Sequence, residues 1–251
     1  MTLNLPLWLP IVFFFIAFVY SMAGLAGGSS YLAVLILVGL SYKQVPSVAL
    51  FCNLIVSLCA FWHFYRGGHF DWKKVFPFII LSIPAAYLGG RIVIGKQLFC
   101  FLLGFSLLAA GARMLFSGKA FETSRIISDR QRWMIGLPAG AVLGFLSGLV
   151  GIGGGIFLSP LLLLMRWASS KQAAAAASFF ILVTSLSGLL GQAQKNSFLF
   201  SESLIFLGLA VFFGGQLGAS IGSYRLPRRA LQRIAAVLIL YVSINLIGKA
   251  F

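Results

Sequence analysis

A shortage of charge, more than any motif, limits what this chain can fold into. Only 9% of its 251 residues are charged and 60% are hydrophobic, with a mean hydropathy of +1.01. A soluble domain carries about 25% charged residues, because its surface has to be wetted. Here the apolar residues run together, as at 75–86, 98–110 and 204–213. Extended to their natural limits, several runs reach the roughly 20 residues that cross about 30 Å of hydrocarbon. The chain therefore reads as an all-α integral membrane protein. Its first apolar stretch follows Met1-Thr2-Leu3-Asn4, which lacks the basic residues that open a signal peptide. A similar stretch recurs after Trp133, so both count as structure.

The charge that is present is lopsided. Nineteen Lys and Arg against four Asp and Glu give a net charge of +15 and a pI near 10.4. Nucleic-acid binding is excluded as its explanation, because the basic residues sit in short connections and not along one helix face. Basic connections mark the cytoplasmic side of a membrane protein, and attraction to membrane lipid headgroups is a second use for them. The three cysteines, Cys52, Cys59 and Cys100, lie within apolar runs and imply no closed disulfide framework.

The chain contains an internal repeat. Residues 21–30 read SMAGLAGGSS and residues 148–157 read GLVGIGGGIF, so that Gly24, Gly27 and Gly28 fall on Gly151, Gly154 and Gly155. With one inserted residue, Lys43-Gln44 falls on Lys171-Gln172, Ala49 on Ala177 and Ser57 on Ser185. Residues 1–116 form the first membrane repeat, 117–132 a polar cytoplasmic linker, and 133–251 the second repeat. Each half has three ordinary helices, near 46–65, 73–94 and 97–116, then near 173–193, 201–222 and 229–248. Each opens with a longer segment, near 6–40 and 134–166, that glycine interrupts. If the opening segments return to their starting side, Lys43, Arg91, Lys96, Lys195 and Lys249 share one side, leaving 14 of the 19 basic residues on the other. That bias favours a glycine-broken hairpin in each half over a single tilted span. The halves are then two inverted repeats, a plan that recurs in secondary transporters with the substrate site near the midplane.

Residues 148–160 read GLVGIGGGIFLSP, the first half carries a degenerate copy at 24–30, and residues 65–72 read YRGGHFDW. In these the chain resembles the TauE/SafE-type sulfite exporters, also called the sulfonate uptake permease family, from about residue 10 to residue 248. In the first copy Ser29 and Ser30 stand where glycine is common, and Ala33 stands where the second copy has Pro160. The resemblance implies a permease for sulfite, organosulfonates or related small anions in the cell membrane, with a bacterial inner membrane the expected location.

The residues argue separately for an anion. The four carboxylates, Asp71, Glu122, Asp129 and Glu202, all lie in or beside connections, whereas a cation path calls for acidic groups or carbonyl rings at membrane depth. A second short helix is expected to start near Ser29 and near Ile156. Uncapped helix starts carry free N–H groups and partial positive charge, and glycine lets an oxyanion approach them. The candidate substrate site is thus Gly27, Gly28, Ser29, Ser30, Asn53, Ser57, Gly151, Gly153, Gly154, Gly155 and Ser185, with Thr184 a further hydroxyl. Lys43 and Lys171 are candidates for gates, and His63 for proton coupling. No metal site, cofactor or catalytic group is expected, and an oligomer is compatible with the sequence. An anion channel remains an alternative. A membrane-embedded enzyme built on Cys52, Cys59 and His63 is another.

Overall fold

The computed structural model describes residues 6–92, 128–195 and 202–224, with scattered positions between 95 and 108. Its helices are α1 (Leu9–Ser21), α2 (Gly28–Leu37), α3 (Val45–Arg66), α4 (Trp72–Arg91), α5 (Asp129–Val150), α6 (Gly155–Leu164), α7 (Ser170–Lys195) and α8 (Glu202–Tyr224). Among the described residues there is no strand. Four of the described helices, α3, α5, α7 and α8, are long and apolar enough to cross a membrane. The chain is a multi-pass membrane protein. The helix expected near 229–248 lies outside the described residues, and the one near 97–116 does so for all but scattered positions.

Local signals explain most boundaries. Proline stands in the first turn of α1 and α3, where its missing N–H costs nothing. The Asp71 side chain accepts from the Lys73 amide at 3.1 Å to start α4. Ser128 does the same for α5 through the Gln131 amide at 3.4 Å. That cap starts α5 at Asp129, inside the stretch read as linker and ahead of the expected 134.

Glycine stripes set the packing. Along α5, Gly136, Gly140, Gly144 and Gly148 meet Pro77, Phe78, Ser82 and Ala86 of α4 in that order, so the two helices run parallel. A Cβ on Gly136 would stand 2.6 Å from that of Pro77. Gly214, Gly218 and Gly222 of α8 meet Phe14, Phe18 and Met22 of α1 in the same way. Small residues spaced by four let membrane helices approach to backbone contact. In place of intervening side chains, carbonyl oxygens of one helix lie against α-carbons of the other.

Other contacts complete two groups. Cys59 and His63 of α3 reach Phe212 and Gln216 of α8, so α1, α3 and α8 run one way. Lys74 and Tyr87 of α4 reach Gln172 and Gln194 of α7, so α4, α5 and α7 share a direction. The groups meet where α3 crosses α7 in the opposite sense, with Leu50 near Gly188 and Phe61 against Phe179 at 4.8 Å between ring centroids. Each group takes helices from both halves of the sequence.

These directions put Arg66, Lys73, Lys74, Arg130, Arg132, Arg166 and Lys171 at one end of the bundle, and Lys43, Arg91 and Lys195 at the other. Since α1 and α3 run the same way, α2 is the return between them, and α6 is likewise the return between α5 and α7. At about 1.5 Å per residue, the ten residues of α2 and of α6 cover only about half the bilayer core. Outward faces are apolar, with Ile11, Phe15, Leu58, Ile83, Phe206 and Leu209 all exposed.

Candidate functional site

Two glycine turns bring the starts of α2 and α6 to the same depth, beside Asn53 in the middle of α3 and Ile181 in the middle of α7. Gly24, Gly27, Gly151, Gly153 and Gly154 all have positive φ, between 63° and 89°, a conformation that side-chain-bearing residues adopt only with strain. Gly27 and Gly154 are the N-cap residues of α2 and α6, and neither start has a side-chain cap. Within the first turns Ser30, Gly155 and Phe157 donate to the Gly27, Gly153 and Gly154 carbonyls, and the remaining N–H groups are left to other acceptors.

Both starts border one small cavity. Tyr20, Leu25, Ala26, Gly27, Gly28 and Ser29 line it from the first half, and Ile152, Ile156 and Ile181 from the second. Its volume is about 10 Å³, about one water-sized sphere. A polyatomic anion enters only if the two starts move apart.

The polar groups around the cavity come from the first half. Asn53 is fully buried and its Nδ2 donates to the Gly151 carbonyl at 3.2 Å, joining the halves. Its Oδ1 has no partner, and neither does the buried Ser29 hydroxyl. Tyr20 and Ser30 share a 2.8 Å hydroxyl–hydroxyl bond. A side chain on Gly28 would collide with the Asn53 amide and stand 2.5 Å from the Ile152 carbonyl, so glycine there lets α2 begin against the opposite turn. Gly153 lies against the same amide, 3.0 Å from a built Cβ, and Gly155 against Ile181 and the Ala177 carbonyl. A buried polar atom without a partner costs about 1–3 kcal/mol, so two of them beside uncapped helix starts call for a ligand or a function.

The other candidates fall elsewhere. Ser57 donates to Leu54 in its own helix at 3.2 Å, and buried Ser185 has an unpartnered hydroxyl; neither lines the cavity. Thr184 donates to Phe180 at 2.8 Å and approaches the Gly153 carbonyl at 3.3 Å, which braces the second turn. Lys43 and Lys171 are exposed at opposite ends. Each precedes the contact that the other half's glycine turn makes, Gly151 on Pro46 and Gly24 on Ala174. His63 in the last turn of α3 pairs with Gln216 at 3.1 Å. His69, in the connection before α4, is held below the usual histidine range by burial and then by the Lys171 charge. Cys52 and Cys59 are free and buried, and Cys100 lies outside the described residues. Among the described residues no cluster of His, Cys, Asp and Glu suited to a metal occurs.

The sequence reading placed a helix start near Ile156 but missed Tyr20, Ile152 and Ile181 as cavity walls, because hydrophobic residues in a membrane segment carry no sign of which face they occupy. It also missed Gln192, whose Nε2 donates to the Gly148 carbonyl at 3.1 Å and whose Oε1 is unpartnered, as is Ser147 Oγ beside that glycine. A buried amide inside an apolar helix was the available signal.

The family described as sulfite exporter TauE/SafE matches residues 9–246. The chain belongs to that family. Among relatives, the probable membrane transporter protein y4hK of Sinorhizobium fredii is 34% identical over 242 residues, covering 95% of this chain and 97% of the relative. The probable membrane transporter protein MJ0441 of Methanocaldococcus jannaschii is 24% identical over 254 residues, covering 94% and 93%. No solved structure matches. This member of the TauE/SafE family is a membrane transporter. Its glycine turns, at 24–28 and 151–155, lie well inside the matched span.

Proposed function

We propose that the chain is a secondary transporter of a small anion, held at midplane between the starts of α2 and α6. One observation carries this reading: two helix starts without side-chain caps converge on one cavity that the unpartnered Ser29 hydroxyl, a free donor, also lines. Neutral dipoles and hydroxyls bind an oxyanion without the cost of a buried lysine or arginine. The sulfur class, sulfite or an organosulfonate, comes from the family's name and resemblance. The walls narrow it: the Tyr20 and Ser29 hydroxyls stand among apolar side chains, Leu25 and Ala26 from one half and three isoleucines from the other, which suits an anion with a hydrocarbon portion, and hence an organosulfonate over a fully oxygenated ion.

The two repeats, 1–116 and 133–251, are inverted in this reading, with residues 117–132 and the basic end cytoplasmic and both termini outside. Support comes from helix direction. α1 and α3 run with α8, while their counterparts α5 and α7 run with α4, the counterpart of α8. Alternating access is a rocking of one group against the other across the α3–α7 contact, which opens the cavity to one side at a time. With native cysteines replaced, a membrane-impermeant thiol reagent applied from outside will label Lys43→Cys and leave Ser128→Cys unlabelled. The reverse pattern contradicts the orientation.

The functional test is counterflow in proteoliposomes preloaded with unlabelled ethanesulfonate, using radiolabelled sulfite, thiosulfate and ethanesulfonate outside, with and without a pH gradient. A transporter gives saturable uptake accelerated by the internal anion, with ethanesulfonate preferred. Uptake without that acceleration indicates the channel. A Cys52→Ser, Cys59→Ser, His63→Gln variant that transports normally removes the enzyme reading.

A further inference from the structure

A second site stands apart from the cavity, at the basic end of the bundle. There α4 and α5 separate above the Gly136–Pro77 contact and leave an open groove of about 630 Å³. Lys73 and Arg132 supply its charge, Ser128 and Asp129 its floor at the start of α5, and Phe76 and Trp133 its apolar wall. The two rings pack edge to face with centroids 6.2 Å apart. Arg132 holds Asp129 at 3.1 Å, but the Asp129 side chain is 86% exposed, so solvent weakens that neutralisation. Lys73 forms no ion pair among the described residues.

We propose that this groove binds the headgroup of an anionic phospholipid. Its position and shape separate that occupant from a soluble anion. Phe76, at the groove's edge, begins a column of exposed side chains, Phe76, Ile80 and Ile83, that continues down the outer face of α4. Those residues recur at helical spacing, so one face of the helix offers acyl chains an apolar track directly below the charged groove. Trp133, 40% exposed, sits where indole rings settle at a membrane interface. Around the groove the same end carries Arg66, Lys74, Arg130 and Lys171 against Asp71 and Asp129, so the field favours a phosphate with net negative charge. A headgroup bridging Lys73 and Arg132 ties the first turn of α4, from one half of the chain, to the first turn of α5, from the other. The inference does not depend on what the midplane cavity carries.

The test is thermal unfolding of detergent-purified protein with added phosphatidylglycerol, phosphatidylcholine or inorganic phosphate. Wild type is expected to be stabilised by phosphatidylglycerol alone. Lys73→Gln with Arg132→Gln is expected to weaken the apparent affinity about five-fold for each charge removed. Lys43→Gln, at the opposite end, keeps the wild-type response and controls for general charge loss. Equal stabilisation by phosphatidylcholine, or an unchanged response in the double variant, overturns the proposal. Stabilisation by inorganic phosphate at comparable concentration overturns the lipid assignment. If the double variant is too unstable to purify, lipid phosphorus retained by Lys73→Gln alone decides, and retention equal to wild type counts against the site.

Discussion

Replacing Asn53 with leucine is expected to leave the protein folded and to stop transport. Leucine keeps the branched skeleton of asparagine, so it fills the space between Gly28 and Gly153 with little rearrangement. The substitution removes one hydrogen bond, Nδ2 to the Gly151 carbonyl, which contributes about 1 kcal/mol. It also removes an unpartnered buried oxygen, which costs a similar amount or more. The two nearly cancel, and stability is expected to stay within about 1 kcal/mol of wild type. Transport loses an amide beside the bound anion and the hydrogen bond that ties α3 to the second glycine turn at this depth. A fall of about 100-fold or more in counterflow follows, on the order of the 2–3 kcal/mol that a charge-assisted hydrogen bond and its geometry supply. Size-exclusion profile and thermal midpoint report the fold, and counterflow reports the function. A variant that unfolds, or one that transports normally, contradicts the assignment.

The second large effect is structural. Gly148→Leu is expected to prevent assembly of the second helix group. A Cβ at 148 meets the Ala86 carbonyl and stands 2.9 Å from the Gly90 amide nitrogen, both backbone atoms that cannot turn aside. Gly188 of α7 crowds the same point, with its own built Cβ 3.0 Å from the Gly148 α-carbon. Adding a full side chain there separates three helices at once and costs more than the ~1–3 kcal/mol of ordinary overpacking. Little monodisperse protein is expected from membranes. Gly215→Ala is the matched control, since its Cβ stands 3.4 Å from the Val56 α-carbon, and that helix contact has room for a methyl group. Normal yield of Gly148→Leu contradicts the packing account.

How much of this was legible in the sequence differs by feature. Helix positions followed from uninterrupted apolar runs, and proline and glycine at their ends set boundaries within a few residues. The cap at Ser128 is an exception, because polar residues between halves read equally well as linker. The helix starts after Gly27 and Gly154 were legible because glycine-rich turns make poor helix interiors. The stripe Gly136, Gly140, Gly144 and Gly148 is visible as a spacing, but a spacing does not name its partner. That α5 lies along α4, and α1 along α8, depends on tertiary contact. The Asn53–Gly151 bond joins residues 98 positions apart, and no local signal encodes it. The isoleucine wall was illegible for the reason that makes the membrane segments obvious: nearly every position in them is apolar.

The central claim is that an anion binds between the two helix starts. It is tested most directly by equilibrium binding of radiolabelled ethanesulfonate to detergent-purified wild type and to Asn53→Leu, with unlabelled sulfite as competitor. The account predicts saturable binding to the wild type that sulfite displaces, and its loss in a variant that unfolds at the same temperature. Saturable binding of equal affinity in both proteins would place the anion elsewhere and contradict the account.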